Sequence, residues 1–489
     1  MDFIVGVGKF LWVLFQVIVL FNLLIVVHEL GHYWAAKWRG LKVEKFQIWF
    51  GKAIWKKEIN GVQWGLGTIP MGGFVALPQM APMEMLEGST DEKHAQLPPI
   101  TPMDKIIVAF AGPLFSFGLA FAFALLVWGL GKPVRNSHET TVVGYVEPGM
   151  KAEAAGVKMG DRITKVNGVE VRGFVGMIDS IMERIIYSKG ETIDLEVERP
   201  GVAEPITITT GYDLEKRPGY KRKDFRKIGV HPKMDATVGA IFENSPAAKA
   251  GLKIGDVLAQ VDGAEVLHPG QIGEMVRENP AREYTIVVRR PKETAEGEEK
   301  QYESLTIPLL AEVPTNSKDG KAMLGIRWSH TAEMRIQRPG PNPFQQIWDG
   351  GTAIFRTIGA LFSSSDDVNV TQMSSAVGIG NYYFQTLSDP VYGWRLAFVL
   401  SVLINVNLGL LNLLPFPVLD GGHIMMATYE GIRKRPMNMR AMEVFQATCA
   451  LLLIGFMLFV TWFDVGDIVD NAGAPDVAPQ ELPKFAPAP

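Results

Sequence analysis

Residues 10–32 read FLWVLFQVIVLFNLLIVVHELGH, an apolar stretch that closes on His28-Glu29-Leu30-Gly31-His32. Its length suits a helix crossing a hydrocarbon core, which takes about 20 residues. The stretch runs on into His28 without a small-residue cleavage site, so it reads as a membrane span and not as a signal peptide. Continued as a helix, it places His28 and His32 on one face, where two imidazoles can reach one metal ion. Glu29 then stands one step round, beside the place of a water nucleophile. Ionisable side chains at membrane depth are costly, so this triplet points to function rather than to packing.

Three further stretches are long and apolar enough to cross a bilayer: residues 106–130, 396–414 and 447–462. Cytoplasmic flanks carry an excess of Lys and Arg. Lys37, Arg39, Lys42, Lys45, Lys52, Lys56 and Lys57 follow the first span, and Arg433, Lys434, Arg435 and Arg440 lie between the third and fourth. Asp464, Asp467, Asp470, Asp476 and Glu481 follow the fourth, with only Lys484 among them. Both short loops are therefore expected in the cytoplasm, and both termini and residues 132–394 outside it. The 489 residues are 47% apolar and 20% charged, which fits a membrane protein with soluble insertions. A net charge of −4, from 48 basic and 52 acidic residues, gives no ground for a nucleic-acid partner. Cys449, the single cysteine, excludes an intrachain disulfide and reads as a small core residue.

The large insertion repeats itself at an offset of 95 residues. Ala152, Ala155, Gly156, Lys158, Gly160, Asp161, Val166 and Gly168 recur as Ala247, Ala250, Gly251, Lys253, Gly255, Asp256, Val261 and Gly263. Residues 162–166 and 257–261 read as strands that end in the tight turns Asn167-Gly168 and Asp262-Gly263. Later strands are expected over 192–198 and 284–289, with helices over 176–186 and 271–277 before them. The pattern Ala-Gly-Val-Lys-Met-Gly-Asp-Arg-Ile and its copy resemble the bacterial type of PDZ domain. That resemblance implies capture of an extended peptide at a sheet edge, or a filter on substrate ectodomains; spacers or autoinhibitory caps are the other reading. Ile228-Gly229-Val230 and Leu324-Gly325-Ile326 are candidates for closing the two grooves.

A catalytic zinc keeps three protein ligands and one open position. Spans one and three run in the same direction, so the end of span three lies at the depth of His28 and His32. There the sequence reads NLLPFPVLDGGH over residues 412–423, and Asp420 is its only acidic residue. Asp420 is the expected third ligand; His423 competes for that place or supports it from behind, and Asp420 could also serve only as a helix cap.

H-E-L-G-H at the end of a first span, Met71-Gly72-Gly73-Phe74 before a second, two PDZ-like repeats and the N-L-L-P-F-P-V-L-D-G-G-H run together resemble the site-2 protease family of intramembrane zinc metalloproteases, in its bacterial regulator-of-sigma-E type. The resemblance covers almost the whole chain. It implies Zn²⁺ on His28, His32 and Asp420, Glu29 as catalytic base, and Asn412 as a substrate-positioning residue. It also implies single-span membrane proteins as substrates, such as an anti-sigma factor or remnant signal peptides, in the bacterial inner membrane with lipid around it. Two rivals stand beside it: a catalytically inactive membrane-tethered PDZ scaffold, and a zinc-dependent transporter, which the absence of a broken-helix repeat disfavours.

Residues 46–77 alternate aromatic and branched residues with glycines and read as a β-hairpin or small sheet. In the family such a hairpin enters the membrane; here Trp49 stands where the first glycine of its G-x-G is expected, with Gly65-Leu66-Gly67 as an alternative. Residues 343–362 place Phe344, Trp348, Phe355 and Phe362 at a spacing that fits a membrane-surface helix. His94, His138, His231, His268 and His330 lie in polar contexts and read as plain surface residues. The expected fold is a polytopic α-helical membrane protein of four spans, with a membrane-associated β-hairpin or sheet and two extracytoplasmic PDZ-like α+β domains. Its boundaries are 1–135 for the first membrane half, 136–233 and 234–330 for the repeats, 331–393 for an amphipathic connector, 394–471 for the second membrane half, and 472–489 for a disordered tail.

Overall fold

A computed structural model describes residues 2–80, 100–176, 178–215, 217–292, 301–317, 319–329, 334–363, 367–434, 439–473 and 482–486. The chain divides into two compact units. The first holds Met1–Pro133, Gln337–Arg356 and Met373–Val465; the second holds Val134–Ile336, Thr357–Gln372 and Gly466–Pro489.

Among the described residues of the chain, four helices are long and apolar enough to cross a membrane. The first, Asp2–Trp38, continues without a break through His28 to His32. It stops where Gly40 takes a positive φ of 74°. The second, Pro102–Leu130, starts from a capping box between Thr101 and Asp104 with Pro102 in its first turn. The third is Gly393–Asn412 and the fourth Met439–Gly473. The core of the first unit joins Val17, Leu20 and Leu24 of span one to Ala120, Phe123 and Ala124 of span two and Ala397, Val402 and Val406 of span three. Small residues let the helices approach, as expected of apolar helices that pack by contact and not by hydrophobic exclusion. A Cβ on Gly31 would lie 2.4 Å from the Ala111 carbonyl oxygen.

The connector holds more than the single helix expected. Pro343–Leu361 is helical, with Phe344 and Trp348 exposed, and a second helix covers Ala376–Leu387. The second is pinned by polar contacts that sequence periodicity does not reveal. Its cap region donates from Ser375 N to the buried Asp464 carboxylate at 2.6 Å, and Tyr383 Oη lies 2.8 Å from Ser401 Oγ.

The loop after span one is a four-stranded sheet rather than a lone hairpin. Its strands are β1 (Lys45–Phe50), β2 (Trp55–Ile59), β3 (Val62–Leu66) and β4 (Ile69–Ala76), in the order β2-β3-β1-β4. β1 pairs parallel with β3 and antiparallel with β4, where Phe46 faces Val75 and Ile48 faces Gly73. The register shifts between Ile48 and Phe50, and Trp49 there has a φ of 69°. Trp49 thus takes the left-handed conformation that a glycine adopts freely.

In the second unit the strands expected in both repeats form. Arg162–Val166 pairs with Ile193–Glu198, and Val257–Val261 with Glu283–Pro291. The turns at Asn167-Gly168 and Asp262-Gly263 have positive φ at all four residues, as a two-residue hairpin turn requires. Val230–Pro232 pairs with Val143–Val146, so the Ile228–Val230 stretch belongs to the first repeat. Ile326–Trp328 pairs with Ala236–Ile241 and belongs to the second.

Three expectations are corrected here. The helix expected over 176–186 is confined to Ile181–Ile186, because the Ser180 side chain caps it. His231 and His268 are not plain surface residues: Tyr145 stacks on His268 at 5.5 Å, the two imidazoles lie 5.6 Å apart, and His231 bonds Glu147. The tail is not featureless. Leu482 and Lys484 are hydrogen-bonded to Asn316, and Phe485 is buried. The histidines at 94 and 330 and residues 474–481 and 487–489 of the tail lie outside the described residues.

Candidate metal centre

His28 and His32 project from span one toward span two. A hydrogen bond of 3.0 Å joins His28 Nδ1 and Ser116 Oγ, and His32 Nδ1 donates to the Val108 carbonyl at 2.8 Å. With each Nδ1 engaged, both Nε2 atoms are directed to one point, 3.3 Å apart. This is how ligating histidines are held, with the second nitrogen fixing ring and tautomer. Gly112 makes room for them: a Cβ there would fall 2.2 Å from His32 Nε2 and 2.8 Å from His28 Nε2.

The third group arrives by a sharp return of the chain after span three. Leu414 to Leu419 turn back and Asp420 opens a helix, Asp420–Arg433. The two glycines that follow are required by contact. A Cβ on Gly421 would meet the Leu413 carbonyl oxygen at 2.2 Å, and one on Gly422 the Phe416 carbonyl oxygen at 2.1 Å. Lys105 of span two pairs with Glu430 at 2.7 Å and holds the far end of this helix. Asp420 Oδ2 thereby comes 3.3 Å from His28 Nε2, and Oδ1 3.4 Å from His32 Nε2.

One ligand atom from each of His28, His32 and Asp420 lies within 4.8 Å of the others, a group able to hold a metal ion. All three side chains are buried. Asp420 Oδ2 is buried without a hydrogen bond. A carboxylate oxygen left so inside protein is expensive unless a cation answers it, so the donor set fits a cation such as zinc.

A cavity of about 310 Å³ opens onto these groups, lined also by Glu29, Asn412 and His423. Asn412, the last residue of span three, places Nδ2 3.5 Å from His28 Nε2. Every site residue read from the sequence is thus brought together. Sequence reasoning missed Ser116 and Gly112, and it singled out Gly72 and Gly73 without foreseeing that they and Phe50 wall the cavity. The run Ala111-Gly112-Pro113 in an apolar span was the available signal for a close approach. Gly73 packs beside the acid itself, since a Cβ on it would lie 3.3 Å from Glu29 Cγ.

Membrane-crossing helices around a buried His-His-Asp group with a neighbouring glutamate define a class, the integral-membrane peptidases of the H-E-x-x-H type. The chain belongs to Peptidase family M50, whose family model matches residues 16–456. The regulator of sigma-E protease RseP of Escherichia coli is 27% identical over 466 residues, covering 92% of this chain and 97% of that protein. The regulator of sigma E protease of Haemophilus influenzae is 25% identical over 474 residues, 93% of this chain and 99% of that one. A Neisseria meningitidis protein provisionally named a zinc metalloprotease is 28% identical over 454 residues, 90% and 96% of the two chains. The chain is therefore a multi-pass membrane peptidase, and membership in a peptidase family supports that reading over an inactive scaffold.

Proposed function

We propose that the protein is a zinc-dependent endopeptidase that cuts single-span membrane proteins in or beside their transmembrane segment. The reading rests on one observation: two imidazoles and a carboxylate, 388 residues apart in sequence at His32 and Asp420, converge within 4.8 Å with one carboxylate oxygen unbonded. His28, His32 and Asp420 hold Zn²⁺. The chemistry such an ion supplies when bound is acidification of a water nucleophile and stabilisation of negative charge. Glu29 takes the proton of that water, and Asn412 orients the peptide carbonyl from the opposite helix end. β4 walls one side of the cavity through Gly72, Gly73 and Val75. A substrate helix hides its carbonyls and must unwind before it fits such a site.

The positive flanks put the site toward the cytoplasm of a bacterial inner membrane and the repeats outside it. The repeats are PDZ-like, and the second supports that reading with a cavity of about 140 Å³ between Ile272, Val276 and Leu324 to Ile326. Their role is to receive or filter ectodomains, so that substrates trimmed outside are cut and untrimmed ones are not. The resemblance to the regulator-of-sigma-E type implies an anti-sigma factor as one such substrate, and leftover signal peptides as another.

The test is purification in detergent, metal analysis, and incubation with single-span substrates bearing long and short ectodomains. The Glu29→Gln protein should keep its zinc and lose cleavage. Normal cleavage by that variant would remove the catalytic assignment, and equal cutting of both substrates would remove the filter.

A further inference from the structure

The described part of the tail, Leu482 to Ala486, lies in the second unit against the second repeat. Thr315 donates from its backbone N–H at 2.7 Å and from Oγ1 at 3.0 Å to the Lys484 carbonyl. Asn316 works as a two-pronged clamp: Nδ2 donates to the Leu482 carbonyl at 3.1 Å and Oδ1 accepts from the Lys484 N–H at 2.9 Å. Every group so bound belongs to the tail's main chain, and Pro483, which has no N–H to offer, sits where none is asked for. Selectivity comes from the next residue. Phe485 is 6% exposed, while Leu482, Lys484 and Ala486 face solvent. Its Cε2 lies 3.1 Å from where a Cβ on Gly325 would stand, beside Ser245, and Gly325 has a φ of 74°. A Cβ at 325 would collide with Ser245 at 2.2 Å and crowd the ring, so the glycine keeps this wall of the site close.

We propose that the Thr315-Asn316 turn, Ser245 and Gly325 form a peptide-binding site that takes an extended segment by its main chain and one aromatic side chain, and that the chain's own Leu482-Pro483-Lys484-Phe485 is its resident occupant. Two features support a built site. A side-chain amide that bonds both a carbonyl and the N–H two residues on suits a segment that turns those two groups to one side, as an extended chain does. The approach to the tail is also held: Arg222 pairs with Asp467 at 2.6 Å and Lys221 with Asp470 at 2.9 Å, which ties the first repeat just before the tail begins. The C-terminal segment therefore contacts both repeats. Gly325 also lines the 140 Å³ cavity of the second repeat, so tail site and cavity share one residue.

The experiment uses the full membrane protein in detergent beside a chain ending at Glu481, and a fluorescein-labelled peptide of residues 480–486 read by anisotropy. The shortened chain should bind the peptide saturably and at least about tenfold more tightly than the intact chain, whose own tail fills the site. In the shortened chain Asn316→Ala should weaken binding about tenfold, and a peptide carrying Phe485→Ala should bind about tenfold more weakly again. Equal binding by intact and shortened chains, or no saturable binding by the shortened one, overturns the proposal. Asn316 lies half-buried on a turn, so Thr315→Val, which removes only the hydroxyl donor to the Lys484 carbonyl, serves as the second variant and should weaken binding in the same sense.

Discussion

Asp161 and Asp256 of the repeats and Asp420 of the membrane unit are all buried, and they are treated in opposite ways. In the repeats Asp161 and Asp256 are fully buried, and both oxygens of each are hydrogen-bonded. Asp161 accepts Arg199 Nε and a terminal guanidinium nitrogen at 2.8 Å each, and Lys158 N at 2.9 Å. Asp256 accepts the same set from Arg290 and Lys253. In the membrane unit Asp420 is also buried, faces two imidazoles, and keeps one oxygen without a hydrogen bond. A carboxylate whose two oxygens are both held by a guanidinium of its own protein is architecture. One with an oxygen left unbonded beside two converging imidazoles marks a place fit for a cation.

The comparison breaks most visibly at the metal centre. Replacing Asp420 by Asn should abolish retained zinc and lower cleavage by a factor of about 10³ or more, read by metal analysis and substrate gels. In metal-stripped protein the same change should leave thermal stability unchanged or raise it, since a buried charge has gone. A marked loss of stability would make Asp420 structural, like Asp161. Gly112→Ala comes next: its Cβ would stand within 3 Å of both Nε2 atoms, so cleavage should drop about 10²-fold through displaced ligands. A variant with normal metal content and rate would show that the imidazoles have room that the packing denies.

Asp161→Asn should act in the other sense, costing about 2 to 4 kcal/mol of stability in the repeats with the metal site untouched. Proteolysis of the repeats against cleavage of a short-ectodomain substrate separates the two effects. The smallest effect is in pH. Burial, with His231 beside it, pushes the His268 imidazole down to about 4 from its ordinary 6.5. An unfolded chain takes that proton near 6.5 while the folded one does not, so stability falls as pH drops from about 6.5 to about 4 and is level above. Hydrogen exchange in the repeats across that window tests it, and His268→Gln should flatten the slope. Identical slopes in both proteins would exclude His268 as its source.

How much was legible depends on the reach of each interaction. H-E-x-x-H carries its own geometry, because a helix turn alone puts His28 and His32 on one face. The repeats announced themselves through Gly-Asp and Asn-Gly turns whose backbone demands are local. Asp420 followed from topology plus the scarcity of acid near span three. Ser116, Gly112 and the Val108 carbonyl were silent, since a serine, a glycine and a peptide group in an apolar helix look like ordinary packing until another helix lies against them. The helix Ala376–Leu387 and the docked Phe485 were hidden for the same reason: their partners, Asp464 and Gly325, are distant in sequence.

By itself, then, the sequence determined the four spans, the duplicated insertion and the chemistry of the imidazole pair, all consequences of hydrophobic length, short-range turn stereochemistry and helical periodicity. Tertiary structure alone decided which nitrogen of each histidine is available, which buried carboxylate remains unanswered and where the tail rests. Those are set by contacts between residues far apart in the chain, and no local pattern encodes them.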